Sequence, residues 1–375
     1  MKLGLLPATL LVGGLAAAQG CATAPKTYDY DPDAAFSDGG PIDPDAAAPD
    51  GGPIAPTPKD RVACGTTFCR TDQTCQAGRC VYTCIGTQVP GDYATLGEAM
   101  APLADKDATI CYKPTTGTAG TVSIATSKSV TIIGVSPDQT PLPQITIGSG
   151  ASGAGTVTLQ GLVATTVSLS GTTKVNINGG KIGYVYVTAT QSGEVRIEGA
   201  DLGGASSSYG LYVTPGASTN PKVLAQNNYF HDAQSAAVQV YSTSGYAADV
   251  QLLNNTFRNN KAGILLTSST GTIKLTVIGN IFANTQGIAM SLPAFAATSE
   301  FSNNLLFGNT TNYAGLAADG ANYLKVDPML DTAVPPDTRA GSPARGAGLA
   351  NRSPGVDFYG ISRAGKPDLG AVQSP

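Results

Sequence analysis

NNYFHD at Asn227–Asp232, NNTFRN at Asn254–Asn259, GNIFAN at Gly279–Asn284 and NNLLFGN at Asn303–Asn309 are one short phrase written four times. With the aromatics as anchors, Phe230, Phe257, Phe282 and Phe307 stand 27, 25 and 25 residues apart. Each is followed two positions later by an amide or an acid: Asp232, Asn259, Asn284 and Asn309. A period near 25 residues in a chain of short β-type runs predicts a solenoid, each repeat covering its neighbour's apolar face. A β-sandwich has no reason to reuse one phrase at a fixed spacing. Outward from the phrase, Val195-Arg196-Ile197-Glu198 and Val175-Asn176-Ile177-Asn178 alternate apolar and polar residues. Val and Ile then face inward, and Arg196, Glu198, Asn176 and Asn178 face outward. Coils of roughly 20–28 residues predict about eight to ten turns, a rod roughly 40–50 Å long at ~4.8 Å per coil.

Composition agrees with an all-β chain. Of 375 residues 13% are charged, 46 are Gly and none is Trp. The net charge of −4 excludes the basic face that nucleic-acid binding needs.

Residues 1–20 form an export signal: Lys2, then an apolar run from Leu3 to Ala18, too short for the ~20 residues of a membrane span. Residues 21–60 are a Pro/Asp/Gly/Ala stalk in which DPDAAFSDGGPI (Asp31–Ile42) repeats at once as DPDAAAPDGGPI (Asp43–Ile54). Such a composition buries nothing and stays extended. Asp31, Asp33 and Asp38 fail a calcium-loop pattern, because Ile42 stands where the acid at the twelfth position should be.

Cys64, Cys69, Cys75, Cys80, Cys84 and Cys111 are an even set in an exported chain, so disulfides are expected. Spacing alone leaves fifteen connectivities open. The expected arrangement interleaves Cys64–Cys75 with Cys69–Cys80 in a module over 61–85 and ties it to the rod through Cys84–Cys111. Zinc is the alternative, but no paired CxxC and no nearby His supports it. Beyond the module, Thr95 to Glu98 has capping-box spacing, and Leu96, Ala99, Met100 and Leu103 share a helical face.

Four stretches resemble known families. Ala-Gln-Gly-Cys21 resembles the lipobox of bacterial lipoproteins, with Ala18 and Gln19 departing from its usual residues. The resemblance implies acylation of Cys21, a membrane anchor and, with neutral Ala22, an outer-membrane, surface-exposed location. CGTTFCRTDQTCQAGRC resembles small Cys-rich, loosely EGF-like modules. GDYATLGEAM, then CYKPTTGT and SVTIIGVS, resembles the entry of right-handed parallel β-helices of the pectin lyase-like superfamily, in which a helix plugs the first coil. That resemblance implies a β-helix over 86–323. Lys325–Leu330, Ala340–Gly348, Asp357–Gly360 with Arg363, and Asp368–Ala371 resemble the closing segment of choice-of-anchor Q surface proteins. A cap over 324–375 follows, with Asp357, Arg363 and Asp368 as a structural polar clasp across the final coil.

Chemistry is sparse along the rod. β-Helix lyases use carboxylates that bind Ca²⁺ and a basic residue that abstracts a proton, and glycosidases pair carboxylates. Coil alignment gathers only Asp201, His231, Asp232, Arg258 and Lys261 at one corner. Asx residues at one offset in successive coils also serve as hydrogen-bonded ladders, with Asp232 as an acidic rung over Asn259 and Asn284. Of the surface tyrosines Tyr184, Tyr186, Tyr209, Tyr212, Tyr241 and Tyr246, the first two share a strand face with Tyr212 nearby, and aromatic side chains suit sugar rings. The expectation is therefore a surface-displayed binding or adhesive rod with a carbohydrate or cell-surface ligand and no metal or cofactor. A polysaccharide lyase or glycoside hydrolase is the alternative, and only a lyase would bring in Ca²⁺.

Overall fold

A computed structural model describes residues 61–374, apart from 66, 104–105, 114–119, 136–140, 149–154, 243, 269–271, 294 and 316–322. The signal, Cys21 and the tandem stalk repeat lie outside the described residues.

The alternating runs form parallel strands stacked coil upon coil. Ten of them make sheet A, which begins at Thr87–Val89 and Ala108–Tyr112. It continues through Lys174–Asn178, Val195–Glu198, Lys222–Gln226, Ala248–Leu253 and Ile273–Ile278 to Glu300–Ser302. Nine steps at ~4.8 Å put about 43 Å between its ends. Val175, Val195, Val223, Val250 and Leu275 stand in one buried column, so successive coils contain 20, 28, 27 and 25 residues.

The cross-section changes along the rod. Early coils have one seven-residue strand opposite sheet A: Leu142–Gly148, Val163–Leu169 and Lys181–Val187. On the next coil Asp201 and Leu202 pair with Lys181 and Ile182, while Leu211–Val213 pair with Val185–Val187. Residues 203–210 thus fill a gap that 183–184 filled one coil earlier. The long strand becomes two branches at that insertion. Sheet B holds Asp201–Gly203, Tyr229–His231, Thr256–Arg258, Ile281–Ala283 and Leu305–Phe307. Sheet C holds Tyr209–Val213, Ala236–Ser242, Ile264–Ser268, Ile288–Ser291 and Thr311–Ala314.

The repeated phrase builds the corner from sheet A into sheet B. Its first residue has positive φ: 55° at Asn227, 50° at Asn254, 71° at Gly279 and 56° at Asn303. Gly161, Gly179 and Gly199 hold the same column in earlier coils. Only Gly, or Asn through its local hydrogen bonding, visits this region without strain. Its second residue is a buried asparagine. The Asn228 side-chain amide donates to Asn255 Oδ1, Asn255 to Asn280 and Asn280 to Asn304, each at 3.0 Å. The same oxygens take the backbone N–H groups of Asn228, Asn255 and Asn280. Inside, Phe230, Phe257 and Phe282 stack with centroids 4.8 and 4.4 Å apart.

Two expectations are corrected. The fourth anchor is Leu306, which pairs with Phe282, whereas Phe307 follows Ala283 on the outer side and is only partly buried. Asp232, Asn259 and Asn284 are not the ladder. Each has positive φ at the far end of the phrase, and the rung lies four positions earlier.

The cap at the start is helical over Leu96–Leu103 and buries Leu96, Ala99 and Met100. Its capping box is closed: Glu98 N–H donates to Thr95 Oγ1 at 3.2 Å, and Thr95 N–H donates to Glu98 Oε2 at 3.3 Å. Disulfides join Cys64 to Cys75, Cys69 to Cys80 and Cys84 to Cys111. The proximity of Cys64, Cys69 and Cys80 sulfurs comes from the two crossed bridges, not from a zinc site.

The C-terminal segment does not lie across the final coil. It runs back along the A/B corner and the outer face of sheet B. Asn303 donates to Ala347 O, Gly370 N–H to Gly279 O, Asn254 to Asp368 O and Asn227 to Val356 O. Ile281, Ala283 and Leu305 of sheet B pack against Ala344 and Leu369 of the segment. The turn-forming residues of the strap need partners along a row of corners, and the regular column of Asn and Gly supplies them coil by coil.

Candidate functional site

Sheet B brings together most of the corner cluster. The His231 ring reaches Asp201 Oδ1 through Nε2 at 2.7 Å and Asp232 Oδ2 through Nδ1 at 2.8 Å. Tyr229 stacks on the imidazole at 4.7 Å. Arg258, one coil on and paired in register with His231, reaches the Tyr229 hydroxyl and donates to Asp331 O at 3.0 Å. Lys261 sits beyond the corner, exposed, and its backbone N–H binds Ala233 O.

Burial alone would weaken the His231 cation, but hydrogen bonds and charge from Asp201 and Asp232 outweigh it and raise its pKa. Tyr229 is pushed up to about 12 by burial, against the opposing pull of Arg258. An imidazolium donating from both nitrogens has no lone pair with which to take a proton. The two carboxylates are both engaged by that ring, and Arg258 is engaged by the strap. His231 is half-buried under these contacts rather than an open corner residue.

The Asp357, Arg363 and Asp368 clasp is buried. Asp357 accepts the N–H groups of Tyr359, Ile361 and Gln373. Asp368 accepts those of Gly346 and Ser374. Arg363 donates to Val356 O, Asp368 O, Gly370 O and Asn227 Oδ1. Burial pulls Arg363 down to about 10, with Asp357 and Asp368 opposing, so it stays charged at neutral pH. All of its donors go to the fold.

Sheet C and the strand before it present a different surface. Tyr212 is the hub of five tyrosines. It lies 4.8 Å from Tyr209, 5.4 Å from Tyr186, 6.5 Å from Tyr184 and 6.4 Å from Tyr241. Tyr184 and Tyr186 are nearly parallel at 6.0 Å. Register explains the gathering: Tyr186 pairs with Tyr212 on the next coil, and Tyr184 is two residues from Tyr186 on the same face. Thr214 donates to the Tyr186 hydroxyl at 3.4 Å. Burial, then the neighbouring phenols, raises the pKa of both Tyr184 and Tyr212, so these hydroxyls stay neutral. The four inner rings are half-buried and Tyr241 is exposed.

Tyr184, Tyr186 and Tyr212 were marked in the sequence as a set. Tyr209 and Tyr241, also among the surface tyrosines, join their ring contacts: Tyr209 is carried by the 203–210 insertion, which the 25-residue period conceals, and Tyr241 lies on the strand of the next coil. Tyr246 is exposed and outside the cluster's ring contacts.

Residues 150–282 match a family model described as a right handed beta helix region. No curated protein and no solved structure matches the chain. The match spans the coils that carry the tyrosines, three of the phenylalanine anchors and the His231 cluster. Together with the stacked parallel strands it makes the rod a right-handed β-helix.

Proposed function

We propose that this chain is a lipid-anchored, surface-displayed β-helix that binds carbohydrate through the tyrosine cluster around Tyr212. The observation that carries the reading is the cluster itself: five phenols gathered on an outer face that the strap does not cover. The strap occupies sheet B, and the cysteine module lies at the early corners, where Tyr82 packs over Gly161 and Gly179. Among the described residues sheet C therefore keeps an open, patterned aromatic surface. Tyrosines offer contact area and a hydroxyl at low entropic cost, which suits polyhydroxylated ligands.

The His231 cluster favours binding over cleavage, because its carboxylates and its arginine are already partnered. Cys21 as the acylated residue and 22–60 as the stalk would hold the rod away from an outer membrane, each buried methylene of the anchor adding ~0.8 kcal/mol. The test is a glycan array probed with the full chain and with Tyr212→Ala. Binding that disappears in the variant supports the reading, and equal binding by both removes the tyrosines from it. New absorbance from unsaturated products on a polygalacturonate and alginate panel would replace binding with lyase chemistry. Retention of Cys21→Ser in membranes would refute the anchor.

A further inference from the structure

The charge pattern of the open faces narrows the ligand, on the premise that the tyrosine face binds carbohydrate. Sheet A carries an outward column of alternating sign: Lys174, Glu194, Lys222, Asp249 and Lys274 follow one another coil by coil. Sheet C carries none. Its strands read YGLYV, AAVQVYS, ILLTS, IAMS and TNYA, without a charged residue. The long strands leading into it read LPQITIG, VATTVSL and KIGYVYV. The one charge there, Lys181, belongs to the column of Asp201 at the sheet B end.

One outward column on this face runs Thr146, Ser168, Tyr186, Tyr212, Gln239, Leu265 and Ser291. Tyr241 and Thr267 pair beside it. The column offers hydroxyls, an amide and phenol rings at one residue per coil, about 4.8 Å apart. A uronate or sulfated polymer is held by Arg or Lys forks and point charges, and desolvating its anions without them is costly. A neutral pyranose asks only for hydroxyl partners and an aromatic surface. An extended polysaccharide repeats at nearly the strand spacing, so successive sugars can meet successive coils.

We infer that the face centred on Tyr186, Tyr212 and Gln239 is a binding strip for a neutral polysaccharide lying along the solenoid axis. The ligand spans several coils, and its affinity owes nothing to ion pairing.

The experiment is affinity electrophoresis of the full chain in gels containing a neutral polymer (hydroxyethylcellulose, galactomannan or xylan) or an acidic one (polygalacturonate or alginate), at low and high salt. Retardation by a neutral polymer that persists in high salt is expected. Tyr212→Ala should weaken it tenfold or more, as for a central aromatic anchor. Gln239→Ala should weaken it less while leaving the thermal transition unchanged, which guards against a folding defect in the tyrosine variant. Retardation by acidic polymers alone, abolished by salt, overturns the neutral strip but leaves carbohydrate binding standing, with the lysines of sheet A as its seat. Retardation by no polymer overturns both. Retardation by a neutral polymer that both variants keep unchanged overturns the location.

Discussion

Asn255 shows how much one side chain carries in this architecture. Its Oδ1 accepts the Asn228 N–H at 2.9 Å and the Asn228 amide at 3.0 Å. Its own amide donates to Ala225 O at 2.9 Å and to Asn280 Oδ1 at 3.0 Å. Asn255→Ala leaves several fully buried groups without partners, each costing ~1–3 kcal/mol, so a loss of about 3 kcal/mol or more is expected. Urea unfolding checks it, and a loss under about 1 kcal/mol would mean that the rungs are not coupled. His231 gives a pH dependence with a definite sign. Its folded-state pKa is raised, so the folded state holds the proton more tightly than the unfolded chain. The resulting stabilisation is fully present below the ordinary histidine pKa of ~6.5 and fades as pH rises through the folded value. The melting temperature of the wild type should therefore fall relative to His231→Asn between pH 6 and pH 9. Parallel curves for the two proteins would show that the carboxylate clamp contributes nothing. The ladder itself was only half legible in the sequence. Both the second and the last residue of the phrase recur at a fixed offset, and a repeat alone does not say which one turns inward. The left-handed backbone at each end of the phrase decides it, and that is a property of the corner.

At the scale of the element, the coil period and the inward columns were readable because alternation and β-branched residues leave a strand little choice of face. The branching of the long strand was not readable. It arises where residues 203–210 replace two residues of the previous coil, and the phrase repeats just as regularly on a three-sided coil. Sheet A shows what alternation implies on the outside. Each acid in its charged column stands between two lysines, and Lys274 Nζ reaches Asp249 Oδ2 at 3.2 Å. Asp249→Lys would put Lys222, the new lysine and Lys274 on three adjacent strands. Like charges directly opposite one another destabilise a sheet, by about 1 kcal/mol for partly exposed side chains. The loss should shrink in 0.5 M salt, where screening shortens the reach of each charge. A salt-independent loss would mean that the aspartate matters for packing instead. Asp249→Asn, which removes one charge without adding another, should lose less.

At the scale of the whole molecule, the two ends of the described chain close on each other over one row of corners. Arg70 donates to Phe358 O at 2.6 Å and to Gly199 O at 3.4 Å, and Thr71 N–H donates to Tyr359 O at 2.8 Å. Arg61 binds Asp337 at 2.7 Å and lies over the Tyr359 ring at 5.0 Å. The cysteine module covers the glycine corners at 161, 179 and 199, and the strap takes over at Asn227. Among the described residues the strap thereby covers sheet B and leaves the tyrosines of sheet C to solvent. Cysteine count and the polar motifs near the C-terminus made both parts visible in the sequence. Their meeting was not visible, because no periodicity links residue 70 to residue 358. Arg363 is the keystone of the strap. It is 4% exposed, and it ties Val356, Asp368 and Gly370 to the corner residue Asn227, which also donates to Val356 O itself. Arg363→Ala strands those acceptors and uncouples the nearby buried carboxylates, a loss on the order of 3–5 kcal/mol. Arg363→Lys keeps the charge but not the planar fork, and one ammonium cannot reach four acceptors spread around a guanidinium. Both variants should expose the strap to protease before the rod unfolds, giving cuts between residues 325 and 374 with the β-helix left intact. Mass spectrometry of a timed digest reads the order of cutting. If both variants instead resist digestion as the wild type does, the strap is held by its apolar contacts with Ile281 and Leu305, and the guanidinium is a passenger.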